Sequence, residues 1–275
     1  PDFSLASGDV SGFNAGQATA GRYSVKEVFG ELRVPLLAEK PFAERLELTG
    51  AARYSDYSLD AVGGVFTWAA GAEWAPIRDV TLRGQFQRAI RAPNVDELFG
   101  GQEQGFPPAN DPCSNRTPEN QNATVRALCI ATGVPAGSVF TSGVQPDSQI
   151  EGAFGGNPDL KEEKSDTYTL GVVFRPGFVP GLNVTVDYYH IKVDNYITEL
   201  GGGLNNVLDL CYNVVQDANN PYCQAIQRNP GGDIDIVRVN NANVASLTTA
   251  GIDLQIDYGL DLGFGLFADN ESRLT

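Results

Sequence analysis

The stretch Arg45-Leu46-Glu47-Leu48-Thr49-Gly50-Ala51-Ala52-Arg53-Tyr54 alternates with period two: Leu46, Leu48, Gly50, Ala52 and Tyr54 share one face, and Arg45, Glu47, Thr49, Ala51 and Arg53 the other. Successive side chains of a β-strand point to opposite faces, so this is a strand with one apolar and one polar side. The pattern recurs. Phe66, Trp68, Ala70, Ala72 and Trp74 oppose Thr67 and Glu73, while Val80, Leu82, Gly84 and Phe86 oppose Thr81, Arg83, Gln85 and Gln87. Tyr168, Leu170, Val172 and Phe174 oppose Thr167, Thr169 and Arg175, and Ile252, Leu254, Ile256 and Tyr258 oppose Asp253, Gln255 and Asp257. Helix-type periodicity is nearly absent and glycine is abundant, so the fold class is all-β. Alternation alone fits a soluble sandwich equally well.

Aromatic placement separates the two. Rings sit at the ends of the apolar faces, with small or aliphatic residues between: Phe66 and Trp68 against Trp74, Tyr168 against Phe174, Tyr54 and Tyr258 at strand ends. A sandwich core wants bulk in the middle, whereas a lipid-facing band wants amphipathic rings at both interfaces. In the strand from Leu182, Val184, Val186 and Tyr188 share a face before the pattern changes phase to Ile191 and Val193, which predicts a bulge across Tyr188-Tyr189-His190.

Segments 35–44, 76–79, 176–181 and 259–263 are short and rich in turn formers, and they alternate along the chain with 1–21, 55–63, 92–163 and 199–232. The 92–163 insertion is 72 residues long and rich in Gly, Pro, Asn and Gln. Loops that long are usually functional. Long loops at one end and short turns at the other are the pattern of an antiparallel transmembrane β-barrel, with the short turns periplasmic. Eight spans are expected: 22–34, 45–57, 63–75, 79–91, 164–175, 181–198, 233–258 and a truncated one from Gly263. Inside the loops, Asn122 is placed to cap a helix over 123–131 with Gly133 after its end. Val207, Cys211 and Val214 have helical spacing before Asn219-Asn220-Pro221 stops them.

No stretch approaches the roughly 18 to 20 consecutive apolar residues of a membrane helix, which leaves a barrel open. With 19 Lys and Arg against 34 Asp and Glu the formal charge is −15, which excludes nucleic acid as a partner. Cys113 and Cys129 fall in one long loop and Cys211 and Cys223 in another, so a disulfide in each is the economical pairing, in an oxidising compartment. Each would contribute about 3 kcal/mol in the chain-entropy model. Neither pair has metal-ligand spacing, and no metal or cofactor is expected. The chain starts at Pro1 and contains no Met, so it reads as a fragment of something larger.

The insertion is bracketed by Arg91-Ala92-Pro93-Asn94 with Glu97-Leu98-Phe99, and by Gly156-Asn157-Pro158-Asp159-Leu160-Lys161-Glu162-Glu163-Lys164-Ser165. With Trp74-Ala75-Pro76, Asp187-Tyr188-Tyr189-His190-Ile191 and Thr249-Ala250-Gly251-Ile252-Asp253-Leu254, these brackets resemble the barrel region of TonB-dependent outer-membrane receptors from about Tyr23 onward. The resemblance implies a Gram-negative outer-membrane protein: a 22-stranded barrel closed around an N-terminal plug, with ligand bound at the outer loops and plug apex and the TonB complex pulling on the plug. Of those parts the chain, over residues 1–275, is expected to hold about eight strands, without the plug, the TonB box or the terminal strand. Its partners would be outer-membrane lipid, the plug, the TonB complex and a small solute. On this reading Arg53, Arg83, Gln85, Gln87, Asp253 and Asp257 face the lumen. Loop 92–163 carries ten acidic residues against three basic ones, a net of −7, so it disfavours an anionic siderophore and favours a neutral cargo such as an oligosaccharide. Phe99, Phe106, Phe140 and Phe154 are the candidate ligand-stacking rings, with a core inside the loop as their competing use.

Rival functions are weaker. Asp253 and Asp257 lie on a polar strand face, Glu162 and Glu163 open a strand, and the single histidine, His190, has no nucleophile signal beside it, which argues against an enzyme. A secreted β-sandwich adhesin or carbohydrate-binding module would tolerate disulfides and the sequons at Asn115 and Asn122, but a third at Asn183 falls within a strand. A passive porin would not need the family motifs or so long a loop.

Overall fold

The computed structural model describes residues 3–262 and 272–274. After a short helix α1 (Phe3–Ser7), four strands follow with tight connections: β1 (Val25–Lys40), β2 (Ala43–Tyr57), β3 (Gly64–Ile77) and β4 (Val80–Arg91). The long insertion carries α2 (Val95–Phe99), β5 (Glu103–Gly105), α3 (Ala123–Ala131) and β6 (Gly152–Phe154), and leads into β7 (Glu163–Phe174) and β8 (Leu182–Glu199). A second insertion holds α4 (Leu204–Asp209), α5 (Pro221–Gln224), β9 (Ile226–Arg228) and β10 (Ile234–Arg238), before β11 (Asn241–Tyr258) and the short pair β12 (Leu260–Leu262) and β13 (Ser272–Leu274). The long strands form one seven-stranded antiparallel sheet in the order β1-β2-β3-β4-β7-β8-β11. Leaving aside the insertions, every neighbour in space is the neighbour in sequence, so the sheet is an up-and-down meander. Seven of the expected spans are present, and the eighth begins at Gly263, outside the described residues.

Three boundaries differ from expectation. Segment 35–44 is not a turn: β1 runs on to Lys40, with a register shift between Pro35 and Leu37, and the turn is Pro41-Phe42, where Phe42 takes φ 59°. Proline reads as a turn former, yet β1 has a partner on one side only, and an edge strand tolerates a proline at a bulge. Span 233–258 is two strands, because β10 pairs with β6 and β9 in a separate sheet and only β11 joins the meander. No bulge lies at Tyr188-Tyr189-His190. There β8 keeps unbroken register with β7 and β11, and the shift falls nearer Asn195, which takes φ 58°. Ile191 and Val193 therefore stay in phase and lie on the otherwise polar face.

The two faces of the sheet differ as the alternation requires. The polar face is laced by ion pairs between strands: Arg33 with Glu47, Arg45 with Glu73, Arg53 with Glu27, and Arg83 forked onto Asp187 at 3.0 and 2.5 Å. The apolar face is left bare, with Ile252, Leu254 and Ile256 exposed by 71%, 64% and 62%. A row of rings crosses it near its long-loop end. Trp68 and Tyr168 each lie 4.8 Å from Phe86, and His190 lies 6.2 Å from Tyr168. Beyond that row charge begins on the same face, where Arg88 donates two hydrogen bonds to Asp166 at 2.8 and 2.7 Å. An apolar band closed by amphipathic rings and then by charge is the profile of a surface matched to a bilayer.

Candidate functional site

The motif that brackets the insertion builds its foot. Asn94 caps α2 in a reciprocal box, its side chain accepting from the Glu97 amide and the Glu97 carboxylate accepting from the Asn94 amide, both at 2.8 Å. Arg91, at the end of β4, forks onto Glu97 at 2.8 and 3.0 Å and onto Glu163 at 2.7 Å through two nitrogens. Glu163 also accepts from the Ile197 amide at 2.9 Å. Leu98 and Leu160, one from each bracket, are buried together in a small core with Leu59, Val62, Val65 and Ile197. The charged residues of the motif are thus a clasp where the loop leaves the sheet.

Above the clasp, the two insertions are one folded body. Strands β5, β6, β10 and β9 form a four-stranded sheet in that order, and its central β6–β10 pairing is parallel and joins the first insertion to the second. Nineteen buried residues form the core, among them Val125, Leu128, Val134 and Val144 from the first insertion and Leu204, Val207, Leu208 and Tyr212 from the second. Disulfides Cys113–Cys129 and Cys211–Cys223 stand inside this core, each within one insertion, as the spacing suggested. Helix α3 starts at the Asn122 cap, whose side chain accepts from the Val125 amide at 2.9 Å, and Gly133 takes φ 106° just past its end. The second helical stretch is present, α4 widening into a π-type turn over Leu210–Val215 that carries Cys211 and Val214, but it stops earlier than expected, at Gln216 with φ 54°. Asn220-Pro221 does not end it but begins α5, with Asn220 as cap and proline at the first position, which needs no amide hydrogen.

At the seam lies a buried ion pair. The side chains of Arg228 of β9 and Asp111 are 1% and 0% exposed, with Arg228 forked onto the carboxylate at 2.5 and 2.9 Å. Arg228 also donates to the Tyr212 hydroxyl at 2.9 Å and to the carbonyl of Gly232 at 2.7 Å, and Tyr212 meets Thr132 at 2.7 Å. Gly232 has φ 100°, a conformation glycine adopts without strain. Burial by itself pulls the Arg228 pKa down; the hydrogen bonds and charge of Asp111 outweigh it and hold it above the ordinary arginine value. Burial pushes the Tyr212 phenol up. Nothing in the sequence pointed to this pair, because its members are 117 positions apart.

The four candidate rings are dispersed. Phe140 and Phe154 pack against the cap core and Phe99 against the small core at its foot. Phe106 is 42% exposed and borders a cleft of about 380 Å³ that also carries Asp147, Glu151, Asp233 and Asp235. A second, larger groove of about 530 Å³ crosses the seam and is bordered by side-chain amides. Among the described residues no group of carboxylates, histidines and cysteines is arranged to hold a metal ion.

A family model described as TonB dependent receptor-like, beta-barrel matches residues 2–273. The chain belongs to that family. No protein of curated function matches its sequence. In fold, this TonB-dependent receptor barrel is similar to the siderophore receptor PirA of Acinetobacter baumannii (16% identity, TM-score 0.50, 88% of this chain and 26% of that one). It is similar too to the ferric enterobactin receptor PfeA of Pseudomonas aeruginosa: a single-site mutant in complex with enterobactin (16% identity, TM-score 0.51, 88% of this chain and 25% of that one) and a double mutant (17%, TM-score 0.52, 94% and 27%). The chain spans about a quarter of the length of these receptors. By this likeness the seven-stranded sheet is part of a barrel wall, and among the described residues β1 and β11 are its two edges.

Proposed function

We propose that this chain is part of a Gram-negative outer-membrane receptor that captures a small solute at its folded extracellular cap and imports it with energy delivered through the TonB complex. The observation that carries the reading is the pairing of a receptor-barrel wall with two insertions folded as one body at one end of it. The bare apolar face is assigned to lipid. The ion-paired face is assigned to the lumen and the plug, which places Arg53, Arg83, Gln85, Gln87, Asp253 and Asp257 inward. Receptor work of this kind needs no bond chemistry, and the site residues are offered as binding groups. The acidic balance of the cap favours a neutral cargo, and of the four rings Phe106 is the one free to stack on it.

Sidedness is checked with single cysteines in the full-length receptor on intact cells, since the native disulfides do not react with a maleimide. A membrane-impermeant maleimide is expected to label cysteine at Glu119 and Asp217, both exposed in the cap, and to spare cysteine at Arg78. Labelling of Arg78→Cys from outside would invert the topology.

Capture is tested by removing the cap as a unit. Deleting 101–150 alone would strip the core from Leu204, Val207 and Leu208. The feet of both insertions close on themselves: the Gly156 amide donates to the Gly100 carbonyl and the Leu200 amide to the Asn240 carbonyl, each at 3.0 Å. Replacing 101–155 and 201–239 by short Gly-Ser links should leave a heat-modifiable barrel in the membrane and abolish TonB-dependent uptake. Unchanged uptake would refute capture by the cap.

A further inference from the structure

The larger groove crosses the junction of the two insertions, with Asn110, Asn120 and Ser148 on the first side and Asn205, Asp209 and Asn213 on the second. From these residues we infer that the groove is a subsite for a neutral, polyhydroxylated ligand, a carbohydrate of one to a few sugar rings. The inference rests on the receptor reading above and gives its cargo a chemical class. A side-chain amide offers a donor and an acceptor side by side, the complement of a pair of vicinal hydroxyls, and the groove presents four of them with one carboxylate as a further acceptor. No lysine or arginine borders it, so an anionic ligand would find no counter-charge there.

The amides divide into two kinds. Asn205 donates to the Pro108 carbonyl at 3.1 Å and Asn213 to the Asp209 carboxylate at 2.8 Å, so both are oriented by the fold and retain a carbonyl oxygen to accept from a hydroxyl. Among the described residues the side chains of Asn110 and Asn120 have no hydrogen-bond partner and keep their full capacity for a ligand. Pro108, which is exposed, adds a ring face for the C–H side of a sugar. The volume, about 530 Å³, is within the range of small-molecule sites. The cleft beside Phe106 is bordered by four exposed or half-exposed carboxylates and differs in character, which makes it the internal control.

The test uses the full-length receptor in detergent and a panel of neutral gluco-, xylo- and manno-oligosaccharides of two to six residues, with titration calorimetry as readout. At least one of them is expected to bind saturably. Asn110→Ala with Asn120→Ala should weaken that binding about tenfold, and Asp235→Asn, in the cleft beside Phe106, should leave it within twofold. Intact disulfides and unchanged protease resistance would establish that the double variant keeps its cap. Absence of binding across the panel, or binding that the double substitution does not alter, would overturn the subsite. TonB-dependent uptake of a different cargo, unaffected by the double substitution, would overturn the subsite while leaving the receptor reading standing. Loss of all TonB-dependent uptake by the wild-type receptor would instead strike at that reading.

Discussion

Asp111→Ala is expected to unfold the cap and leave the barrel wall standing. The substitution strips a buried guanidinium of the carboxylate it is forked onto, leaving Arg228 with the Tyr212 hydroxyl and the Gly232 carbonyl as partners. Breaking a buried pair from one side costs about 3 to 5 kcal/mol, because the remaining charge stays desolvated. The cap has little to set against such a loss, being a small core held by two disulfides and by short strands of three to five residues. The seven-stranded sheet does not share this pair and should not respond to it. Limited proteolysis of the full-length receptor should therefore gain cleavage within 101–155 and 201–239 at neutral pH, with heat-modifiable migration of the barrel unchanged. Replacing both partners by apolar residues, as in Asp111→Leu with Arg228→Met, should recover much of the protease resistance, since paired removal leaves no orphaned charge. An Asp111→Ala cap as resistant as the wild type would mean that the pair does not hold the two insertions together.

That pair marks where sequence reading stops. The strands were legible because a sheet buried or lipid-covered on one side must write period two into its residues, and Arg45 to Tyr54 does so over ten positions. The local signals in the loops were legible for a similar reason: Asn122 and Val125 are three residues apart, and each disulfide closes within one insertion. What could not be read is contact between insertions. The parallel pairing of Gly152 with Val237, the Arg228–Asp111 fork and the groove from Asn110 to Asn213 each join residues separated by a whole hairpin of barrel wall. Irregular spacing of apolar residues in a Gly, Pro and Asn-rich stretch looks like loop until a second stretch completes its core. The acidic sum of loop 92–163 overstates the exposed charge for the same reason, because it includes Asp111, which Arg228 neutralises in the interior. Proline is ambiguous in the opposite direction: Pro35 and Pro221 look like breaks in the sequence, and they sit at a bulge in an edge strand and at the first turn of a helix.

The assignment of faces makes the last and most direct prediction, that Leu254→Arg markedly destabilises the assembled full-length receptor while its neighbour Gln255→Arg is tolerated. Leu254 stands in a cross-strand row with Val186, Val172, Leu82, Trp74 and Leu46, on the apolar side of the rings formed by Trp68, Phe86, Tyr168 and His190. Along β11 Leu254 lies between Ile252 and Ile256, inside the exposed apolar run that Tyr258 closes. An arginine at the bilayer midplane costs about 2 to 4 kcal/mol, a large share of what a barrel has to spare, whereas lumen positions are solvated or ion-paired. Gln255 is one residue along and points to the other face, where its amide donates to Asp257 at 3.0 Å. An arginine there gains Asp253 and Asp257 as neighbours of opposite charge. Refolding into phosphatidylcholine vesicles, followed by urea titration, should show Leu254→Arg unfolding at markedly lower urea than the wild type and Gln255→Arg close to it. Because adjacent residues share backbone, neighbours and loop distance, only the direction of the side chain differs between the two variants. Equal loss at both positions would mean that the apolar face does not meet lipid, and a larger loss at Gln255 would mean that the two faces are exchanged.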